Sequence, residues 1–309
     1  SHGAKASVSG NYFDTLAYGV DAAGFINYDE VAALARQHRP AMIICGGSAY
    51  PRTLDFARFR AIADEVGAWL LADISHIAGL VVAGEHPSPI HEAHITTTST
   101  YKQLFGPRGG LILCGRDYDR PVPGTNRTLQ QQLQRALFPY FQGTPNLSAI
   151  AAKARAFAFV QEPGFPALAR LIRQHAATLA TELSARGYKV VTGGTDNHMV
   201  LFDVLSQGVT GYVAEKALQA CGLIVNKNGI SGDQLPPTVT SGVRLGSNSL
   251  ARRGFSTADV QLIAALVDQV IRGVQAQGQR EFTLPAKLEN TVRAQVADLC
   301  IRYPLPGYD

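Results

Sequence analysis

The chain has 309 residues, 46% of them hydrophobic, enough to bury one large core and a smaller second one. The formal charge is only +4 and the basic residues are scattered, which argues against a nucleic-acid binder. Asp73 and His76 interrupt the most apolar stretch, so no membrane-spanning helix is expected. Cys45, Cys114, Cys221 and Cys300 have no CxxC spacing, and three of them lie in apolar segments. They read as reduced core residues of a cytoplasmic protein, and the first residues carry no signal-peptide pattern.

In chain order, Asn27 with Glu30 resembles a capping box and opens a helix with Val31, Leu34 and Ala35 inward. Residues 41–45 read as a strand ending in Gly46-Gly47-Ser48. Asp55 starts a helix with Phe56, Phe59, Ile62, Ala63 and Val66 on one face, and Gly67 stops it. Strands follow at 69–73, 95–99 and 111–114. This alternation predicts an α/β fold with a mostly parallel, helix-covered sheet. Residues 129–137 look helical and 138–145 irregular. A long helical stretch over 149–186, interrupted at Pro163-Gly164-Phe165-Pro166, leads into a second unit. There, strands are expected at 188–191 and 199–203, a helix at 213–220 and a terminal helix at 256–272. The expected division is a large domain over 1–165 and a smaller α/β domain over 166–309.

Two strand ends carry chemistry. The hydroxyl-rich run 95–98 ends in a turn that holds Lys102, ahead of Gly106-Pro107-Arg108-Gly109-Gly110. A lysine there either snorkels to solvent or is held as a Schiff base, which desolvation favours. The strand 69–73 ends in Asp73, and His76 follows three residues later. In open α/β sheets, ligand-binding groups sit at the carboxyl ends of strands. A carboxylate and a lysine on separate strand ends fit pyridoxal phosphate (PLP) chemistry: the lysine bonds the aldehyde and the carboxylate keeps the ring nitrogen protonated. The alternative for Asp73 and His76 is a turn cap and a turn filler.

Five segments together resemble the serine hydroxymethyltransferase family, in that family's order and spacing. They are Ser99-Thr100-Tyr101-Lys102, Asp73-Ile74-Ser75-His76, Gly193-Gly194-Thr195-Asp196-Asn197-His198, Val225-Asn226-Lys227-Asn228 and Thr240-Ser241-Gly242-Val243-Arg244-Leu245-Gly246. The resemblance runs from Ser1 to Tyr303-Pro304. It implies a fold-type I PLP-dependent transferase with a large domain and a smaller C-terminal α/β domain. It further implies transfer of a one-carbon unit between serine and glycine, with tetrahydrofolate as co-substrate. Lys102, Asp73 and His76 would be catalytic, with Ser48, Ser99 and Gly143 also at the cofactor. Arg244 would bind the α-carboxylate of the amino-acid substrate. Asn228 would contact the pterin, and Phe138 would pack on the folate ring. Arg108 reads as structural.

The resemblance also implies a homodimer or higher oligomer. Ser1-His2-Gly3 matches a point well inside the family's large domain, so a second polypeptide carrying the preceding segment is expected. Departures surround the active centre. The family usually has histidine at Tyr101, threonine at Ser99, Thr-Pro at Ser247-Asn248, and a glycine-rich loop where Phe138-Pro139-Tyr140-Phe141-Gln142-Gly143-Thr144-Pro145 stands. Two other readings stay open: a threonine aldolase or transaldolase that uses no folate, and a non-catalytic scaffold subunit.

Overall fold

The computed structural model describes residues 3–307. Ser1 and His2, where the expected resemblance opens, lie outside the described residues. A short helix, α1 (Val8–Tyr12), is capped by Ser7. In α2 (Tyr28–His38) the Asn27 side chain accepts from the N–H groups of Asp29 and Glu30 and so holds the first turn. Strand β1 (Met42–Cys45) leads to α3 (Phe56–Val66), which buries Phe56, Phe59, Ile62 and Ala63. Asp55 caps α3 by accepting from Arg58 N–H, and Gly67 ends it at φ +73°. β2 (Trp69–Asp73), α4 (Ala78–Val82), β3 (Ile95–Ser99) and β4 (Gly110–Leu113) follow.

These four strands form one sheet in the order β1-β2-β3-β4. The first three pair in parallel, whereas β4 runs antiparallel to β3, so the sheet is mostly parallel, as expected. Residues 100–109 join β3 to β4, fewer than the dozen or so that a parallel crossover needs. The same short link holds Lys102.

Helix α5 (Leu129–Arg135) starts in a Thr128/Gln131 capping box and runs into a π-helical turn, Ala136–Phe141. α6 (Leu147–Val160) and α7 (Phe165–Ala185) replace the single expected stretch, separated at the predicted break. The second unit is an antiparallel sheet, order β5-β7-β6, from β5 (Met199–Asp203), β6 (Asn226–Asn228) and β7 (Gly242–Gly246). It is covered by α7, α8 (Gly211–Ala220) and α10 (Thr257–Gly273), while α9 (Asn248–Arg252) follows β7 directly. A small hairpin, β8 (Gln275–Ala276) with β9 (Phe282–Thr283), precedes α11 (Ala286–Arg302), so the helix at 257–273 is not the last.

Residues 188–191 form no strand. Val190 makes one bridge to Phe202, and Val191–Gly193 turns away as a 3₁₀ helix. The cause is distant in sequence: Arg52 donates from Nε to Thr192 Oγ1 (2.9 Å) and from Nη2 to the Thr192 carbonyl (2.6 Å). Arg52 also pairs with Asp196 at 2.8 Å, Asp196 accepts from Thr53 N–H, and Asn197 Nδ2 donates to the Tyr50 carbonyl. The segment 193–198 is therefore a clasp between the two units. One apolar cluster gathers residues from Val31 to Phe165, a second from Ala176 to Leu299, and Leu80, Ala169, Ile172 and Ala251 form a third, small one with residues from both units.

Candidate active site

The ends of β2 and β3 are stitched together by hydroxyls. Asp73 Oδ1 accepts from Ser75 N–H (2.8 Å), and Ser75 Oγ accepts from Ser99 N–H (2.9 Å). Asp73 thus does cap its turn, as its plainer reading had it. Gly46, at the end of β1, passes so close that a Cβ there would lie 2.3 Å from the Asp73 carbonyl oxygen. The loop after β3 closes on itself through Thr100, whose Oγ1 donates to the Pro107 carbonyl at 2.6 Å. Within it Lys102 is half-buried, its Nζ 5.2 Å from the Tyr101 ring centroid. Arg108 stands 4.7 Å from the same ring.

From the second unit come Arg244 and His198. Arg244 sits at the centre of β7, paired with Leu201 and Asn226 on its two neighbours. Its guanidinium donates to the Ser48 carbonyl and to Asn226 Oδ1. Among the described residues no carboxylate lies within 4.0 Å of it. Burial holds the Arg244 pKa below its ordinary value, the sign of a charge set in a low-dielectric wall. His198 is 5% exposed, and its Nδ1 has no hydrogen-bond partner among the described residues. Its ring stacks 6.3 Å from that of His76, with 11° between planes. Burial, helped by Lys102 and Arg244, pushes the His76 pKa down to about 4. Burial, with His76 and Arg244 nearby, takes His198 down to about 3. Both imidazoles are neutral near pH 7 and so add no charge to the site.

A cavity of about 500 Å³ between the two units brings Lys102, His76, Arg244 and His198 together, with Tyr101, Asn226 and Asn248 also in its wall. Of the other expected site residues, Asp73, Ser48, Ser99, Gly143, Asn228 and Phe138 do not line it. Ser48 reaches Arg244 through its carbonyl, and Ser99 reaches the Asp73 turn through its N–H. Asn228 donates from its amide to the Gly229 carbonyl. Phe138 is 55% exposed, and Gly143 is exposed in the loop that follows it. In the sequence His198 stands out only as part of the longer segment 193–198. The signal for it was a histidine directly before an apolar strand, beside residues that bind the other unit. Among the described residues no group of His, Cys, Asp and Glu gathers as a metal site.

An amine just past one strand end, a carboxylate at the end of the next strand and a half-buried guanidinium without an acid partner among the described residues thus gather at and beside one cavity. A profile of the serine hydroxymethyltransferase family matches residues 1–267. The serine hydroxymethyltransferases of Sphingopyxis alaskensis and Zymomonas mobilis are 45% and 46% identical over 306 residues, 99% of this chain and 67% and 68% of theirs. That of Xanthomonas oryzae is 44% identical over 307 residues, 70% of its own length. The chain thus spans about two thirds of these relatives. It belongs to the serine hydroxymethyltransferase family, PLP-dependent enzymes of fold type I. Its members are typically oligomers, and among the described residues no helix is long and apolar enough to cross a membrane.

The residues present fit PLP. Lys102 offers a primary amine inside the cavity, and Asp73 stands at the end of the strand beside its own. His76, which lines the same cavity as Lys102, is uncharged and aromatic.

Proposed function

We propose that the chain carries the serine–glycine hydroxymethyl transfer of its family, with tetrahydrofolate as the one-carbon acceptor. The observation that carries this reading is Arg244, a half-buried cation without an acid partner among the described residues, which lines the same cavity as Lys102. Lys102 would hold the cofactor's aldehyde, and Asp73 would hold a proton on its ring nitrogen. When bound, PLP supplies an electron sink for the bond-breaking at the amino acid's α-carbon. Arg244 grips the α-carboxylate through its planar fork, which fixes the amino acid's orientation. His76, neutral, hydrogen-bonds a ring hydroxyl or a substrate oxygen. His198 stacks behind it and keeps water from that face. Ser48, Ser99 and Gly143 would complete the cofactor's surroundings, the last from a neighbouring subunit.

Asn228 and Phe138, the folate contacts implied by resemblance, stand outside the cavity. That observation favours a second reading, folate-independent aldol cleavage of a β-hydroxy amino acid, as in threonine aldolases and transaldolases. A scaffold role leaves the shared amine and guanidinium unexplained. We also assign residues 1–165 to the cofactor-binding domain and 166–309 to the small domain, supported by the two separate apolar clusters. A homodimer and a cytoplasmic location fit the family and the four free thiols, although Cys114 is only half-buried and Cys300 is exposed. The expectation of a separate second polypeptide finds no support in the comparisons.

Borohydride reduction of the PLP-loaded protein, followed by peptide mass spectrometry, should place the pyridoxyl label on Lys102. Label on Lys189 or Lys227 would overturn the assignment. Serine cleavage that needs tetrahydrofolate supports the first reading; cleavage at the same rate without it supports the second.

A further inference from the structure

One wall of the cavity has no role in the chemistry proposed above. Helix α9 runs along it, and Asn248, Ser249 and Arg252 all line the space. Asn248 and Arg252 are four residues apart, so they share one helix face. Leu80 N–H donates to Gln103 Oε1 at 3.3 Å, which fixes the orientation of that amide. Gln103 Nε2 is then the atom that donates to Asn248 Oδ1 at 3.1 Å. The Asn248 amide is oriented in turn. Its NH₂ group is the branch away from Gln103, and it makes no hydrogen bond among the described residues.

Arg252 is similarly unspent. Among the described residues its guanidinium has no ion pair or hydrogen bond, only the Phe159 ring at 5.3 Å. Arg253, beside it, is committed to the carbonyls of Tyr303 and Cys300. Among the described residues the cavity wall thus carries Lys102, Arg244, Arg252 and Arg253, and no aspartate or glutamate. Lys102 serves the cofactor and Arg244 the α-carboxylate; Arg252, with the Asn248 donor, serves neither.

We propose that Asn248 and Arg252 form a second carboxylate subsite, so that the ligand this cavity prefers carries a further carboxylate beyond the one at Arg244. The inference rests on the reading of Arg244 given above. Two ligands share the required chemistry: a β-hydroxy amino acid with a side-chain carboxylate, and a folate through its glutamyl carboxylates.

Calorimetry on the PLP-loaded protein tests this with four probes: L-serine, L-threo-3-hydroxyaspartate, tetrahydrofolate and tetrahydropterin, which lacks the glutamyl group. The subsite predicts that the carboxylate-bearing member of one pair binds more tightly. Arg252→Gln and Asn248→Asp should each reduce that preference about fivefold, the scale of a partly exposed charge pair. Arg252→Lys should retain most of it, which separates lost charge from lost folding. A change confined to the amino-acid pair identifies the substrate side chain, and one confined to the pterin pair identifies the folate tail. Preferences within twofold of the unaltered protein in both variants would overturn the subsite. Arg244→Ala is the independent control. If it weakens serine and hydroxyaspartate alike while the α9 variants change no preference, the proposed function stands and the subsite alone fails. If it weakens neither, the proposed function fails.

Discussion

Among the described residues Arg244 sets its guanidinium against the Ser48 carbonyl and Asn226 rather than against an acid, which leaves its charge open to an anion. Replacing it with alanine should weaken amino-acid binding by about 2–5 kcal/mol, the usual cost of truncating one side of a desolvated charge pair. Titration of the PLP-loaded variant with glycine measures this, and unchanged affinity would remove Arg244 from the site. The two stacked histidines give a pH signature. In the unfolded chain their pKa is 6.5, whereas folding lowers His76 to about 4 and His198 to about 3. Between those values the unfolded state binds more protons, so stability is full above about pH 6.5 and is lost as pH falls toward 4 and below. His94, also near 4, has the same sign, so replacing His198 removes part of the slope rather than all of it. Urea midpoints of His198→Asn between pH 4.5 and 7 should vary less with pH than those of the parent.

At the scale of elements, α10 illustrates why some boundaries were legible. Ser256 accepts from Asp259 N–H while the Asp259 carboxylate accepts from Ser256, a reciprocal cap written in four adjacent residues. Ser256→Ala should cost about 1 kcal/mol in denaturant unfolding. α3, β2, β3 and β5 were equally readable, because caps and apolar runs are local. The direction of β4 was not, since it depends on how few residues link it to β3. The strand expected at 188–191 failed because Arg52, some 140 positions away, holds Thr192 outside the sheet. α11 was missed although its signal was present: Leu288, Val292, Val296 and Leu299 follow helical spacing, and Val292 and Leu299 are buried. Around the cavity, Lys102 and His76 stood out by their strand-end settings and Arg244 by its small neighbours and the family resemblance, and all three line one space. His198 did not stand out, because its neighbours Asp196 and Asn197 spend their side chains on the clasp.

For the whole molecule, two large apolar clusters stay separate, and a small third cluster and the polar clasp link the units. Phe59 belongs to the first cluster and is fully buried, so Phe59→Ala should cost about 3–5 kcal/mol through lost contacts and a residual cavity. Arg52→Ala should act differently. It breaks the pair with Asp196 and frees Thr192, which should weaken amino-acid binding more than it lowers the unfolding midpoint of either unit. Comparing the two variants by calorimetry and thermal denaturation checks this contrast, and an equal loss of both quantities in Arg52→Ala would refute it.

Because Lys102 and His76 stand on the first unit and Arg244 on the second, any ligand that touches both sides is also a crosslink. Its binding free energy is shared with the closing of one unit upon the other. By reciprocity, whatever loosens the clasp must lower ligand affinity by the same factor by which ligand tightens the clasp. Saturating substrate should therefore slow hydrogen exchange at Thr192 and Gly193, whose amides donate to Ala23 and Val190 carbonyls away from the cavity. Those amides would report the substrate's arrival without touching it.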